Sequence, residues 1–169
     1  MAGEGGQQAC FDISSLPDIS KAEMDFYDTS FFQRSWPLLP QLPSPAEILQ
    51  QYPDQGRGVV KFEHLNLIVK VGHSSYLRLE EAQTMIAIRR AFANHGIPVP
   101  EVFGWRRYRD RTFIYMSLIH GETLRGAWPT LTETDKKAVC RDLTKIITAL
   151  RRVNQRSSDR FIGMYPKPC

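Results

Sequence analysis

The stretch Gly58–Glu81, GVVKFEHLNLIVKVGHSSYLRLEE, constrains the fold more than any other part of the chain. Two short apolar runs, Val59–Phe62 and Leu67–Val71, flank a polar turn, Glu63–Asn66, and a helix-like run begins at Leu79. Side chains alternate along a strand, so Ile68 and Lys70 share one face while Leu67, Val69 and Val71 take the other. A lysine on an apolar strand needs an anion to face. At helical spacing Glu81, Met85, Ile88 and Phe92 form one stripe, which brings Glu81 toward the sheet. Glu80 falls in line with Thr84, Ala87 and Ala91 and is expected to point to solvent. A strand lysine oriented by a helix glutamate can hold an anionic group at the edge of a sheet.

The other broad features narrow the class without naming an activity. The chain has 169 residues, 42% hydrophobic and 24% charged, which suits one domain with a sizeable core and an irregular arm. A net charge of +4 accommodates an anionic ligand but does not by itself indicate nucleic acid. Cys10, Cys140 and Cys169 are far apart and form no CxxC, so neither a disulfide scaffold nor a zinc site is expected. The four histidines, His64, His73, His95 and His120, show no ligand spacing, and no metal site is expected. No apolar run approaches membrane-spanning length and no secretory signal opens the chain, so the expectation is a cytoplasmic protein.

Taken in order, Met1–Gln8 is Gly-rich and polar and reads as disordered. Cys10–Leu42 is rich in aromatics, has irregular spacing, and reads as an extended arm with at most one helical turn near Lys21–Tyr27. Such an arm is expected to cover apolar surface. Ser44-Pro45-Ala46-Glu47 is a capping signature for a helix ending near Tyr52. Asp54–Gly58 is a turn before the strand pair. The helix from Leu79 ends near Asn94-His95-Gly96, with Gly96 as its left-handed cap. A hairpin follows, with strands Glu101–Arg107 and Thr112–Leu118 around a turn at Tyr108–Arg111. Thr123–Trp128 reads as a short helix, Thr132–Asp135 as a cap, and Lys136–Asn154 as an amphipathic helix with the stripe Val139, Leu143, Ile146, Ile147, Leu150 and Val153. The fold class is therefore α+β, with a mainly antiparallel sheet and a packed helix, followed by further helices. The expected divisions are an arm over 1–42, a sheet domain over 43–119 and a helical segment with a tail over 120–169. The arginine-rich hairpin tip, Arg106–Arg111, reads as a solvated turn.

Seven pieces stand in one order: PSPAEI (Pro43–Ile48), LIVKVG (Leu67–Gly72), LEEAQTM (Leu79–Met85), IPVPEVFGW (Ile97–Trp105), FIYMSLIHGETL (Phe113–Leu124), LTETDKKAVCRDLTKIITALR (Leu131–Arg151) and FIGMY (Phe161–Tyr165). In these pieces the chain resembles the aminoglycoside phosphotransferase-like kinases, especially the form common in fungal genomes. The resemblance implies a kinase-like small lobe followed by the first helices of a helical lobe. It implies that Lys70 holds nucleotide phosphates with Glu81 as its partner, that Ile68 roofs adenine, and that Met116, Ser117, Leu118 and Ile119 form the hinge whose backbone meets the base.

Three departures shape the functional expectation. Glu63–Asn66, in the place expected to cover phosphates, has no glycine. Ser117 stands where the family usually has Glu. The family's His-Gly-Asp loop and later metal-binding Asp belong beyond the FIG segment, where this chain has no counterpart. His120-Gly121-Glu122 comes too early to serve as that loop, and Cys140-Arg141-Asp142-Leu143 lies inside the amphipathic helix. The expectation is thus a kinase-like fold without phosphotransfer machinery or cofactor, with neither ATP nor magnesium engaged. Its site would bind or transform a small apolar metabolite, by cyclisation or isomerisation in secondary metabolism, around Ile68, Lys70, Glu81, Met116 and His120. His64 and His73, flanking the lysine strand, are the acid–base candidates beside Lys70 and Glu81. A nucleotide- or protein-binding regulator, and a piece of a longer small-molecule kinase, are the alternatives. The expected partners are a small molecule and a second copy of the chain, with no nucleic acid and no membrane.

Overall fold

The computed structural model describes residues 15–34, 40–53, 58–93, 97–151 and 153. Leu16–Gly121 forms one compact unit, and Glu122 onward belongs to a second. The first unit is built on a five-stranded antiparallel sheet of order β1-β4-β5-β3-β2. Its strands are β1 (Glu23–Asp25), β2 (Gly58–Phe62), β3 (Leu67–His73), β4 (Val102–Tyr108) and β5 (Arg111–Ser117). The helices are α1 (Ser30–Gln33), α2 (Pro45–Gln51) and α3 (Glu80–Ala91) in this unit, with α4 (Leu124–Ala127) and α5 (Glu133–Arg151) in the second.

Alternation along β3 divides the core as its sequence implies. Leu67, Val69 and Val71 are buried on one face with Val60, Phe103, Phe113 and Tyr115. Phe31 and Phe32 of the arm and Ile48 of α2 cover that face. The opposite face packs Trp105, Ile114 and Met116 against Leu79, Ala82 and Ile86, with Ile68 at the margin. The aromatic arm therefore does cover apolar surface, and it does so on both faces, since Phe26 meets the Trp105 ring edge-on at 5.3 Å.

The arm differs from its expected form in one respect. Lys21–Tyr27 holds no helical turn; it carries β1, which adds a fifth strand beside β4. The open edge of β4 offers main-chain partners, and Met24 and Phe26 gain a place in the core beside Trp105. The helical turn comes later, at Ser30–Gln33. Gly104 makes this pairing fit: a Cβ there would lie 2.5 Å from the Met24 carbonyl and 2.9 Å from Asp25 Oδ1. Arg106 locks the same edge with a two-pronged ion pair to Asp25 at 2.7 and 2.9 Å.

The capping signatures form as read. At α2 the Glu47 N–H donates to Ser44 Oγ at 3.2 Å, and the Ser44 N–H donates to Glu47 Oε2 at 2.8 Å. At α5 the Asp135 N–H donates to Thr132 Oγ1 at 3.2 Å, and Thr132 donates back to the Asp135 carboxylate. The helix runs unbroken through Cys140–Leu143, and Asp142 pairs with Lys145 one turn on at 3.0 Å. A helix interior cannot present that aspartate as a loop base. The expected disorder at Met1–Gln8, the Gly96 cap and the tail after Val153 lie outside the described residues.

Candidate functional site

The ion pair expected from the sequence is present. Lys70 Nζ donates to Glu81 Oε1 at 2.5 Å. It is less buried than the strand pattern suggests, because the two side chains are 39% and 40% exposed. The reason lies in the angular position of α3. The residues it buries are Ala82, Ile86 and Ala87, with Leu79 and Phe92 beside its ends. The inward stripe is thus turned by about one residue from Glu81–Met85–Ile88, which places Glu81 on its flank. Ala87, expected on the solvent side, is buried. Glu80 does turn sideways and pairs with Arg78 at 2.5 Å. Partial burial pushes the Glu80 carboxyl up, but the Arg78 hydrogen bond, its own backbone N–H and the charges of Arg78 and Arg107 outweigh that and hold it below the usual range.

The register of the β2–β3 hairpin shows what surrounds Lys70. Val59 stands opposite Lys70, and Lys61 opposite Ile68. Cross-strand partners share a face, so Val59, Lys61, Ile68 and Lys70 form one strip. The face divides in two. Its β4–β5 half lies under α3, while on the β2–β3 half Val59 is 48% exposed and Lys61 is exposed. Ile68 and Met116 pair across β3 and β5, and Met116 is buried. The strip thus runs from Lys70–Glu81 at one end to the chain leaving β5 at the other.

That exit segment is fixed by main-chain bonds. The Ser117 N–H donates to the Glu101 carbonyl at 2.8 Å, and the Glu101 N–H donates to Ser117 Oγ at 2.9 Å. The Leu118 N–H donates to the Asn66 carbonyl at 2.9 Å. His120 Nε2–H donates to Asn66 Oδ1 at 2.8 Å. Asn66 is in the left-handed region, at φ 50° and ψ 37°, which asparagine tolerates better than most residues. Ile119 is 67% exposed, and its main chain has no hydrogen bond among the described residues.

These bonds correct the expected role of Glu63–Asn66. The turn adjoins the β5 exit, not the lysine. Four residue steps of extended chain lead from Asn66 to Lys70, about 13 Å. The end of the hairpin beside Lys70 is the start of β2, at Gly58 and Val59. A turn so placed does not cover phosphates held by Lys70, so its lack of glycine is no obstacle to them.

The two histidines offered as an acid–base pair are also separated. His64 lies in the turn before β3 and His73 ends that strand, so the length of β3, about 20 Å, separates them. They cannot serve one small molecule together. His73 Nδ1 lies 2.6 Å from Ser75 Oγ and accepts from the Ser75 N–H at 3.2 Å, while its Nε2 faces Asp110 at 3.6 Å. This is a clasp between the β3–α3 and β4–β5 connections. His64 is exposed and sits edge-on to Phe62.

Met116, expected beside Ile68 and His120 in a pocket, lies in the core under α3. A cleft of about 610 Å³ lies between α2 and the Phe62–Leu65 turn, with Gln51, Tyr52, Lys61 and His64 among its lining residues. Among the described residues no three His, Cys, Asp or Glu side chains group to hold a metal ion. No helix among them is long and apolar enough to cross a membrane. In the basic hairpin tip Arg106 is paired with Asp25, and Arg109 lies over the Tyr108 ring at 5.1 Å.

A five-stranded antiparallel sheet, with one helix packed on it and a strand lysine held by a helix glutamate, is the small lobe of a kinase-like fold. Residues 55–165 match the family model described as the phosphotransferase enzyme family, APH, and the chain belongs to that family. No curated protein and no solved structure matches the chain.

Sequence reading did not place Val59 and Lys61 beside Ile68 and Lys70, or Asn66 beside the chain leaving β5. The signal for the first two was present: with the turn at Glu63–Asn66, alternation along Val59–Phe62 places both opposite Ile68 and Lys70. Asn66 carried no local signal, because its role depends on where the chain goes after β5.

Proposed function

We propose that the chain binds a nucleoside triphosphate on the open strip of its sheet, either as the nucleotide-holding lobe of a small-molecule phosphotransferase or as a nucleotide-binding regulator. One observation carries the reading: Lys70 and Glu81 pair on a sheet face whose β2–β3 half is left uncovered. Phosphates would sit at Lys70, whose ammonium Glu81 orients. The base would lie along Ile68 and Val59 toward Ile119, whose main-chain N–H and C=O have no bond among the described residues. An ion pair this exposed adds little to stability, on the order of 0–1 kcal/mol. Its cost in side-chain order is better explained by a ligand. Phosphoryl transfer would also require a base and metal-holding carboxylates, which the described residues do not group together.

The test is a melting-temperature shift with ATP, with and without magnesium. The expected result is a rise of several degrees that disappears in Lys70→Ala. No rise in the wild type overturns the reading. A second reading then takes its place: the same strip positions a small apolar metabolite for cyclisation or isomerisation in secondary metabolism. The 48% exposure of Val59, beside Ile68, is the observation that favours it.

A further inference from the structure

Two lysines, not one, stand on the open strip. Lys61 lies opposite Ile68 on β2, two positions along the ladder from the Val59–Lys70 pair. Diagonal neighbours of this kind are about 7–8 Å apart across an antiparallel pair. Lys70 is neutralised by Glu81, whereas Lys61 has no ion pair or hydrogen bond among the described residues. Ile68 also pairs with Met116 on its other side, and the chain after Met116 is the exit segment tied to Asn66. Lys61 therefore occupies the base end of the strip, and Lys70 the phosphate end.

We propose that Lys61 is a second nucleotide-holding residue, one that grips the base rather than the phosphates. This deepens the nucleotide reading and rests on it. A lysine at an exposed edge-strand position lays its four-carbon stem along apolar surface and keeps its ammonium at the margin. A flat ring lying between the strip and Ile119 would meet the stem and then the ammonium over its π face. Cation–π contact of this kind is worth about 0.5–2 kcal/mol, and Arg and Lys make it with nucleobases as with aromatic side chains. The ligand class is a purine nucleotide, and the contact does not depend on its phosphates.

That independence supplies the test, run on the full chain by calorimetric titration with ATP and with adenosine. Lys61→Met keeps the stem and removes the charge; Lys61→Ala removes both. The expected result is weaker binding of ATP and adenosine by the same factor, about threefold in Lys61→Met and up to about tenfold in Lys61→Ala. Lys70→Ala is expected to weaken ATP strongly and leave adenosine nearly unchanged. If the Lys61 variants bind ATP as the wild type does, the inference fails while the nucleotide reading stands. If they weaken ATP alone, Lys61 acts on the phosphates and the assignment to the base is wrong. If the wild type binds neither ligand, the nucleotide reading itself fails, and this one with it.

Discussion

Lys70 Nζ stands 2.5 Å from Glu81 Oε1, yet both side chains are about two-fifths exposed. The contact is close, but solvent screens it, and the two facts lead to different expectations for stability and for binding. Lys70→Ala and Glu81→Gln should each change unfolding free energy by less than about 1 kcal/mol. Both should sharply reduce ATP binding. Denaturant melts paired with titrations check this. A large loss of stability in either variant would mean that the pair serves the fold instead.

Gly104 is required by the approach of β1. Gly104→Ala would push a methyl group into the Met24 carbonyl and the Asp25 carboxylate that Arg106 holds. The expected loss is about 1–3 kcal/mol, with the arm released from β4. Chemical denaturation gives the first quantity, and limited proteolysis near Lys21–Tyr27 reports the second.

Tyr115 is fully buried on the arm side of the sheet, and its hydroxyl donates to the Pro43 carbonyl at 2.8 Å. Burial pushes its ionisation well above the usual tyrosine range. Tyr115→Phe should therefore cost about 1 kcal/mol, through loss of the tie to the chain that leads into α2. The wild type should show no ultraviolet signature of Tyr115 ionisation until the protein unfolds at high pH.

Acid should weaken the start of α2. The Ser44 backbone N–H and hydroxyl hold the Glu47 carboxyl below its ordinary value of 4.5. A carboxyl whose folded value is depressed contributes stability above its unfolded value and loses it as pH falls through the folded one. Glu80 behaves in the same direction. The melting temperature should thus decline below about pH 4.5, and the decline should be shallower in Glu47→Gln. Ser44→Ala should cost about 1 kcal/mol at neutral pH.

The legible parts of this molecule were those set by local rules. Period-two alternation sorted Leu67, Val69 and Val71 from Ile68 and Lys70, and the Ser44–Glu47 and Thr132–Asp135 caps formed where their spacing placed them. Helical spacing identified Glu81 as the partner of Lys70 but erred by about one residue in the buried stripe. The face of α3 is chosen by its contacts with Trp105 and Ile114, which lie far away in the chain. Long-range pairing was less legible. Glu23–Asp25 is too short and too acidic to announce a strand and becomes one because β4 offers it an edge. The Glu63–Asn66 turn was given to the phosphates because it precedes the lysine strand. Its true neighbour, Leu118, could be known only once β5 lay beside β3.

The most direct measurement is amide hydrogen exchange on the full chain with and without saturating ATP. The account predicts added protection at Gly58–Val60, at Ile68–Lys70 and at Ser117–His120, with Tyr52 and His64 of the α2 cleft, and α5, unchanged. Protection confined to the cleft at Tyr52 and His64, or no change anywhere, would contradict the assignment of a nucleotide to the strip beside Lys70.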